Sequence, residues 1–504
     1  MITLGDALRI NALKYPDRPC LLDRTRRFTY AEVNERVNRL ANGLLATGVR
    51  PGQTVAVFSH NSIEYMELFH ALAKLGCCMV TLNVWHRAGE VEVLYKHSDA
   101  EWFIVGEKAQ ASVAELVDRL GLAPGHLIVM GEPELPGAVA WNDVMAAGHP
   151  AEPGVRVDPQ APYWMMYTSG TTGNPKGVVR SFLRTALCTW AGIIEFRFSK
   201  DDLFLAVSPF FHGVTFLPIM VLHVGGAVFI ADRFSVDDII ETLGRHRITS
   251  GFMVPTMLNM LQADPRFGET DFSALRVLVT GGAPMPEALK RRILDVIGPS
   301  LFEFYGASES GFLTVLHPED QLTRIGSCGR ACFGAEVQIR GESGEVLPPG
   351  QVGEIFTSCQ GRFDGYYKDP ERTAQALQDG WFTAGDLGRM DEDGYVYIVG
   401  RKSDLIISGG ENVYPIEIED VLRSHPAVAD CAVIGVPDPL WGEAVKAVVV
   451  LRPGQAVAAE ELVNYCSRRL AGFKRPKYVE FVDELPRNAS GKVLKHVLKQ
   501  QHGA

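Results

Sequence analysis

Short apolar runs alternate with amphipathic stretches through most of the chain, and that alternation restricts it to layered α/β structure. Residues 54–59 form a β-branched apolar run, Asn61 and Ser62 open a helical pattern that ends at Gly76, and residues 78–82 are extended again. The same unit recurs at residues 102–105, 127–130, 227–230 and 275–279, with amphipathic stretches such as 236–245 between them. Strands apolar on both faces call for largely parallel sheets covered by helices. At 504 residues, 46% hydrophobic and 22% charged, the chain has enough apolar side chains for at least two globular domains.

After about residue 330 the texture changes. Turn signals at Gly344, Pro348-Pro349-Gly350 and 391–394 separate short runs such as 352–357 and 395–399, which predicts a β-barrel-like subdomain. A charged connector, residues 400–404, leads into a second alternation: helices at 415–423 and 460–470, strands at 428–434, 445–451 and 478–481. The expected division is therefore a large N-terminal domain, 1–400, and a small α+β C-terminal domain, 401–504.

Several classes are excluded early. A formal net charge of −11 argues against nonspecific nucleic-acid binding. Residues 203–231 carry no Asp, Glu, Lys or Arg before Asp232, but Pro209, His212, Pro218, His223 and glycines break them into buried strand–helix–strand pieces, so no integral membrane association is expected. The N-terminus shows no signal-peptide core, and the nine cysteines complete no zinc pattern; they read as buried thiols in a reducing, cytoplasmic setting.

Chemistry enters at residues 167–177, Tyr-Thr-Ser-Gly-Thr-Thr-Gly-Asn-Pro-Lys-Gly. Glycines let backbone N–H groups approach an anion, hydroxyls add neutral donors, and Lys176 adds a point charge, so the loop is suited to phosphate. It is not a Walker A loop, because Pro175 precedes the lysine and Gly177 follows it where a hydroxyl would be needed. The string resembles the signature loop of the adenylate-forming superfamily, which contains acyl-CoA synthetases, peptide-synthetase adenylation domains and firefly luciferase. Further motifs follow in that family's order: Gly281-Gly282-Ala283-Pro284, Tyr305-Gly306-Ala307-Ser308-Glu309, Trp381 to Asp386, Gly400-Arg401, and 486–492 with Lys492.

The resemblance implies a role for each position. Thr168, Ser169, Gly170, Thr171, Thr172, Gly173 and Lys176 would cradle the phosphates of ATP. Gly282, Ala283, Glu303, Tyr305, Gly306 and Ser308 would line the adenine and acyl-carboxylate region, and Glu309 would hold Mg²⁺ through an anionic oxygen. Asp386 and Arg401 would take the ribose, since one carboxylate can accept from both vicinal hydroxyls. His212 matches the position that gates the acyl pocket, with Phe210, Phe211, Val214, Phe216, Leu217 and Met220 as its apolar surroundings. Lys492 would act on the charge that develops as pyrophosphate leaves. Ser403 stands at the hinge, where the family usually has Asp or Lys. Gly409, Gly410 and Glu411 belong to the loop that would line the coenzyme A tunnel, and residues 473–476 offer charge to its phosphates.

The whole implies an AMP-forming acid–thiol ligase: a monocarboxylic acid, fatty or aromatic, would be activated as acyl-AMP and passed to coenzyme A. Loading of a carrier-protein pantetheine, or a nucleotide or acyl-ligand sensor without turnover, are the rival readings. The sequence leaves a homodimer open.

Overall fold

The first β-α-β unit forms where the apolar pattern puts it: β1 (Thr54–Phe58), α1 (Ile63–Leu75) and β2 (Cys78–Leu82). A computed structural model gives the structure of the protein and describes residues 3–168, 175–487 and 493–503. All residues of helix α1 but Glu64 are buried, as expected of a helix enclosed within a core. The charges it carries inward are paired, Glu67 with Arg36 and Lys74 with Glu152 at 2.8 Å. Unpaired, each would be costly to bury.

The pattern continues through β3 (Trp102–Gly106), β4 (Leu127–Met130), β5 (Pro162–Thr168) and β6 (Lys176–Ser181), then α2 (Phe182–Glu195), β7 (Leu203–Ala206), α3 (Phe216–His223) and β8 (Ala227–Ile230). Next come α4 (Val236–His246), β9 (Ser250–Phe252), β10 (Val277–Gly281), α5 (Glu287–Ile297), β11 (Leu301–Ala307) and β12 (Gly311–Leu316). The charge-free segment is thus β7, α3 and β8, and no described helix is long and apolar enough to cross a membrane.

Two large sheets result. One is eight-stranded and contains β6-β5-β2-β1-β3-β4; the other is nine-stranded and contains β12-β11-β10-β9-β7-β8. Within each the central strands are parallel, and the consecutive pairs β5–β6 and β11–β12 are antiparallel. Side chains of both sheets, of α1 and of α3 share one core. A second core packs Ile239, Leu243, Leu289 and Ile293 of α4 and α5 with Leu205, Phe229 and Leu278 of the nine-stranded sheet.

The chain divides into two compact units: Met1–Ile325 with Gly329–Glu336 and Thr357–Phe382, and Gly326–Cys328 with Val337–Phe356 and Thr383–Ala504. In the second, β13 (Asp386–Met390) pairs antiparallel with β14 (Val396–Arg401). β15 (Ile406–Ser408), β16 (Glu411–Val413), α6 (Pro415–Arg423), β17 (Val428–Asp438), β18 (Gly442–Leu451), α7 (Ala459–Ser467) and β19 (Tyr478–Phe481) follow. The order β16-β15-β18-β17, with β19 beside β18, makes a five-stranded sheet. Its core is Ile406, Val413, Ile418, Leu422, Val433, Val445 and Leu462 with their neighbours.

Candidate active site

In parallel α/β sheets the loops that leave the carboxyl ends of strands are where ligands gather. Four motifs lie at such ends in the first unit. β5 ends at Thr168, β7 leads to Ser208 through His212, β10 ends at Gly281 before Gly282 and Ala283, and β11 ends in Tyr305, Gly306 and Ala307. Gly282 takes a φ of +81°, which a side chain would strain. Gly306 is required for room: a Cβ there would fall 1.9 Å from the Gly311 carbonyl oxygen of the adjacent strand.

Asn61, beyond the end of β1, ties the two sheets together at these ends. Its amide donates to the carbonyls of Ser208 (2.9 Å) and Ala231 (3.2 Å), and its oxygen accepts from the Phe210 N–H at 2.8 Å. A buried amide with its bonds met fixes the loop that carries His212.

The loop predicted to hold phosphate joins two antiparallel strands, with Thr168 opposite Lys176. Lys176 Nζ lies 5.3 Å from the centre of the Tyr366 ring. The hydroxyl of that tyrosine donates to Glu309 Oε1 at 2.8 Å, and the Glu309 main-chain oxygen accepts from Phe363 N–H at 2.6 Å. Burial, and then the Glu309 charge, push the phenol pKa well above its usual value, so Tyr366 stays a donor.

Arg180 of β6 is fully buried beneath this arrangement. Its guanidinium donates to the Ser308 carbonyl at 2.8 and 3.2 Å and to the Gly361 carbonyl, fastening the two segments that grip Glu309. None of the three residues, Asn61, Arg180 or Tyr366, is singled out as a site residue by the sequence; each acts on partners far away in the chain.

His212 is largely enclosed, and its Nε2 has no hydrogen-bond partner among the described residues. Burial, aided by nearby His86, pushes its pKa down to about 4, so the imidazole is neutral. A Cβ on the following Gly213 would lie 3.8 Å from Met166 Sδ and 4.0 Å from Ser308 Oγ, which puts this loop beside the nucleotide motif. The aromatic surroundings differ from expectation. Phe210 packs edge-on against Tyr65, the ring centre of Phe216 lies 4.8 Å from that of Trp164, and Leu217 and Met220 are wholly buried, so these side chains pack into the core, with Val214 partly buried against it.

Glu303 also differs. It is buried in β11 with Lys290 Nζ of α5 at 2.7 Å. Burial raises its pKa and Lys290 opposes that. The ion pair engages its Oε2, a contact the sequence does not announce.

In the second unit, Asp386 and Arg401 face each other across β13 and β14, with Nε to Oδ1 at 3.0 Å. Asp386 is buried and Arg401 half-exposed. Ser403 sits exposed in a single 3₁₀ turn, its hydroxyl 3.2 Å from Asp404. The segment expected as a loop at 406–414 is a tight hairpin. Gly409 and Gly410, at φ of +62° and +86°, are its two turn residues, and Ser408 pairs with exposed Glu411. A Cβ on Gly409 would meet the Trp441 ring at 2.7 Å, whereas Gly410 faces open space. Lys474 is ion-paired with Glu417, and Lys495 with Glu419 at 2.7 Å.

Comparison with known proteins matches residues 8–367 to the AMP-binding enzyme family and residues 417–492 to the AMP-binding enzyme C-terminal domain. The chain belongs to the AMP-binding enzyme family. It is 39% identical over 487 residues to a feruloyl-CoA synthase of Amycolatopsis sp, covering 94% of each chain. It is 37% identical over 482 residues to the long-chain-fatty-acid–CoA ligase FadD13 of Mycobacterium tuberculosis, covering 95% of this chain and 94% of the other. The crystal structure of ATP-bound MatB from Rhodopseudomonas palustris superimposes with a TM-score of 0.90 at 30% identity, covering 100% of this chain and 99% of that one.

As a member of the AMP-binding enzyme family, the protein is an AMP-forming acyl-CoA synthetase that uses ATP to join a carboxylic acid to coenzyme A through an acyl-adenylate. Of the residues expected to serve that reaction, the first unit brings together Thr168, Lys176, His212, Gly282, Ala283, Tyr305, Gly306, Ser308 and Glu309 at strand ends. The second carries Asp386, Arg401, Ser403, Gly409, Gly410 and Glu411. Ser169, Gly170, Thr171, Thr172, Gly173 and Lys492 lie outside the described residues.

Proposed function

We propose that this ligase activates monocarboxylic acids with a fatty or aromatic body, with Mg²⁺ as the metal. The observation that carries the choice of acid is the enclosed, neutral His212. Residues 203–231 contain no Lys or Arg, so the His212 loop offers a second substrate carboxylate no fixed positive charge. Arg180, near Phe216, already gives its guanidinium to main-chain carbonyls. An apolar body with one polar end suits such surroundings.

The donor chemistry fits a hard cation. Glu309 offers an anionic carboxylate that, among the described residues, takes one hydrogen bond from a neutral phenol and no ion pair. A bound Mg²⁺ would neutralise phosphate charge. In this reading Lys176 and the loop hydroxyls orient the triphosphate, and Asp386 and Arg401 orient the ribose. Lys492 meets the charge that grows as the substrate carboxylate attacks the α-phosphate and pyrophosphate departs. The C-terminal domain, 401–504, then turns about Ser403. That motion withdraws Lys492 and presents the Gly409-Gly410 hairpin for thiol attack on the acyl carbon.

The test is AMP release from ATP across fatty, aromatic and dicarboxylic acids, with and without coenzyme A. Sustained release is expected with monocarboxylic acids and coenzyme A. Faster turnover of a dicarboxylic acid would overturn the substrate reading.

A further inference from the structure

Lys176 and Glu309 carry opposite charges in one part of the first unit, yet no ion pair between them is formed. Tyr366 stands between the two instead. Its ring face takes the Lys176 ammonium at 5.3 Å from the centroid, and its hydroxyl takes the Glu309 carboxylate at 2.8 Å. The tyrosine is itself immobilised. It is buried, its N–H donates to Thr373 Oγ1 at 2.9 Å, and Phe363 packs on its ring at 5.0 Å between centroids. Its strand pairs with β6, with Tyr366 opposite Val178, two residues from Lys176.

We infer that Tyr366 is a positioning residue that holds the Glu309 carboxylate ready for the metal and keeps Lys176 from neutralising it before nucleotide arrives. This rests on Glu309 being the metal ligand. A phenol suits the task because both its contacts leave charge in place: a cation over an aromatic face stays a cation, and a carboxylate that accepts one O–H keeps its remaining lone pairs. A direct ammonium–carboxylate pair would cancel the charges that phosphate and metal each require. It would also have to be broken at every turnover.

Two substitutions separate the contacts. Tyr366→Phe keeps the ring and removes the hydroxyl; Tyr366→Leu removes both. The probe is Mn²⁺ binding to the enzyme–ATP complex, read by electron paramagnetic resonance, beside ATP binding without metal and thermal unfolding. Tyr366→Phe is expected to weaken Mn²⁺ binding by about tenfold while leaving metal-free ATP binding unchanged. Tyr366→Leu should weaken both. In a Glu309→Gln background, Tyr366→Phe should have no further effect on Mn²⁺. If Glu309→Gln weakens Mn²⁺ and Tyr366→Phe does not, the positioning role is wrong. If Glu309→Gln itself leaves Mn²⁺ binding intact, the metal assignment fails first and the inference falls with it. An equal loss of metal-free ATP binding in Tyr366→Phe would mark the tyrosine as a structural residue and also overturn it.

Discussion

Arg180→Met tests how the nucleotide motif is held. The arginine is fully buried and makes three hydrogen bonds to two main-chain carbonyls, those of Ser308 and Gly361. Hydrogen bonds from a charged donor contribute about 1.5–3 kcal/mol each. Removing a buried guanidinium also removes its desolvation cost, which offsets part of the loss. Methionine fills similar space without a donor, so a net local weakening of about 3 kcal/mol is expected. That corresponds to roughly a hundredfold more frequent local opening. The reporter is the Phe363 amide, which donates to the Glu309 carbonyl. Hydrogen exchange followed by mass spectrometry should show peptides covering 307–312 and 361–366 exchanging faster, with α1 unchanged. Arg180→Lys keeps one point donor and should lose about half as much. The adenylation rate, followed by ATP–pyrophosphate exchange, should fall in the same order. Unchanged protection at Phe363 in both variants, or an even loss across the whole first unit, would refute the reasoning.

Gly409→Ala should slow thioester formation from supplied acyl-AMP more than Gly410→Ala does, because both strain a positive φ but only the first drives a methyl group into Trp441; equal effects would deny the Trp441 contact. Lys492→Ala should abolish acyl-AMP formation and spare the second half-reaction, and equal loss of both would remove its assigned role. Burial pushes the pKa of His70 from 6.5 down to about 4, so its contribution to stability is full above pH 6.5 and declines as pH falls toward 4. The slope is about 1.4 kcal/mol per pH unit, and His70→Gln should flatten the acid-unfolding profile by one proton.

Much of the layered fold is legible in the sequence because each element carries its own period. The strand at 127–130 and the helix at 415–423 appear with the predicted bounds. β10 begins two residues later than its apolar run suggests, since Leu275 N–H closes a turn onto Phe272 and pairing with β11 extends through Gly281. At 406–414 the two glycines between short extended runs are a hairpin signal, and the structure forms that hairpin where the sequence analysis expects a loop. Long-range partners are what local patterns leave out. Phe210 and Phe216 look like pocket lining until Tyr65 and Trp164 are found against them. Nothing near Arg180 or Tyr366 in sequence announces Ser308 or Glu309.

The chain leaves the phosphate loop as a strand, β6, whose first residue Lys176 stands opposite Thr168. A helix N-terminus would add a fixed positive field along the exit path of an anionic product. With a strand following instead, the phosphate contacts proposed for this loop are separate hydroxyls, amides and the Lys176 ammonium, each of which water can replace in turn. On that proposal pyrophosphate would leave contact by contact, and tight capture of the incoming triphosphate would not become slow release of what is cut from it.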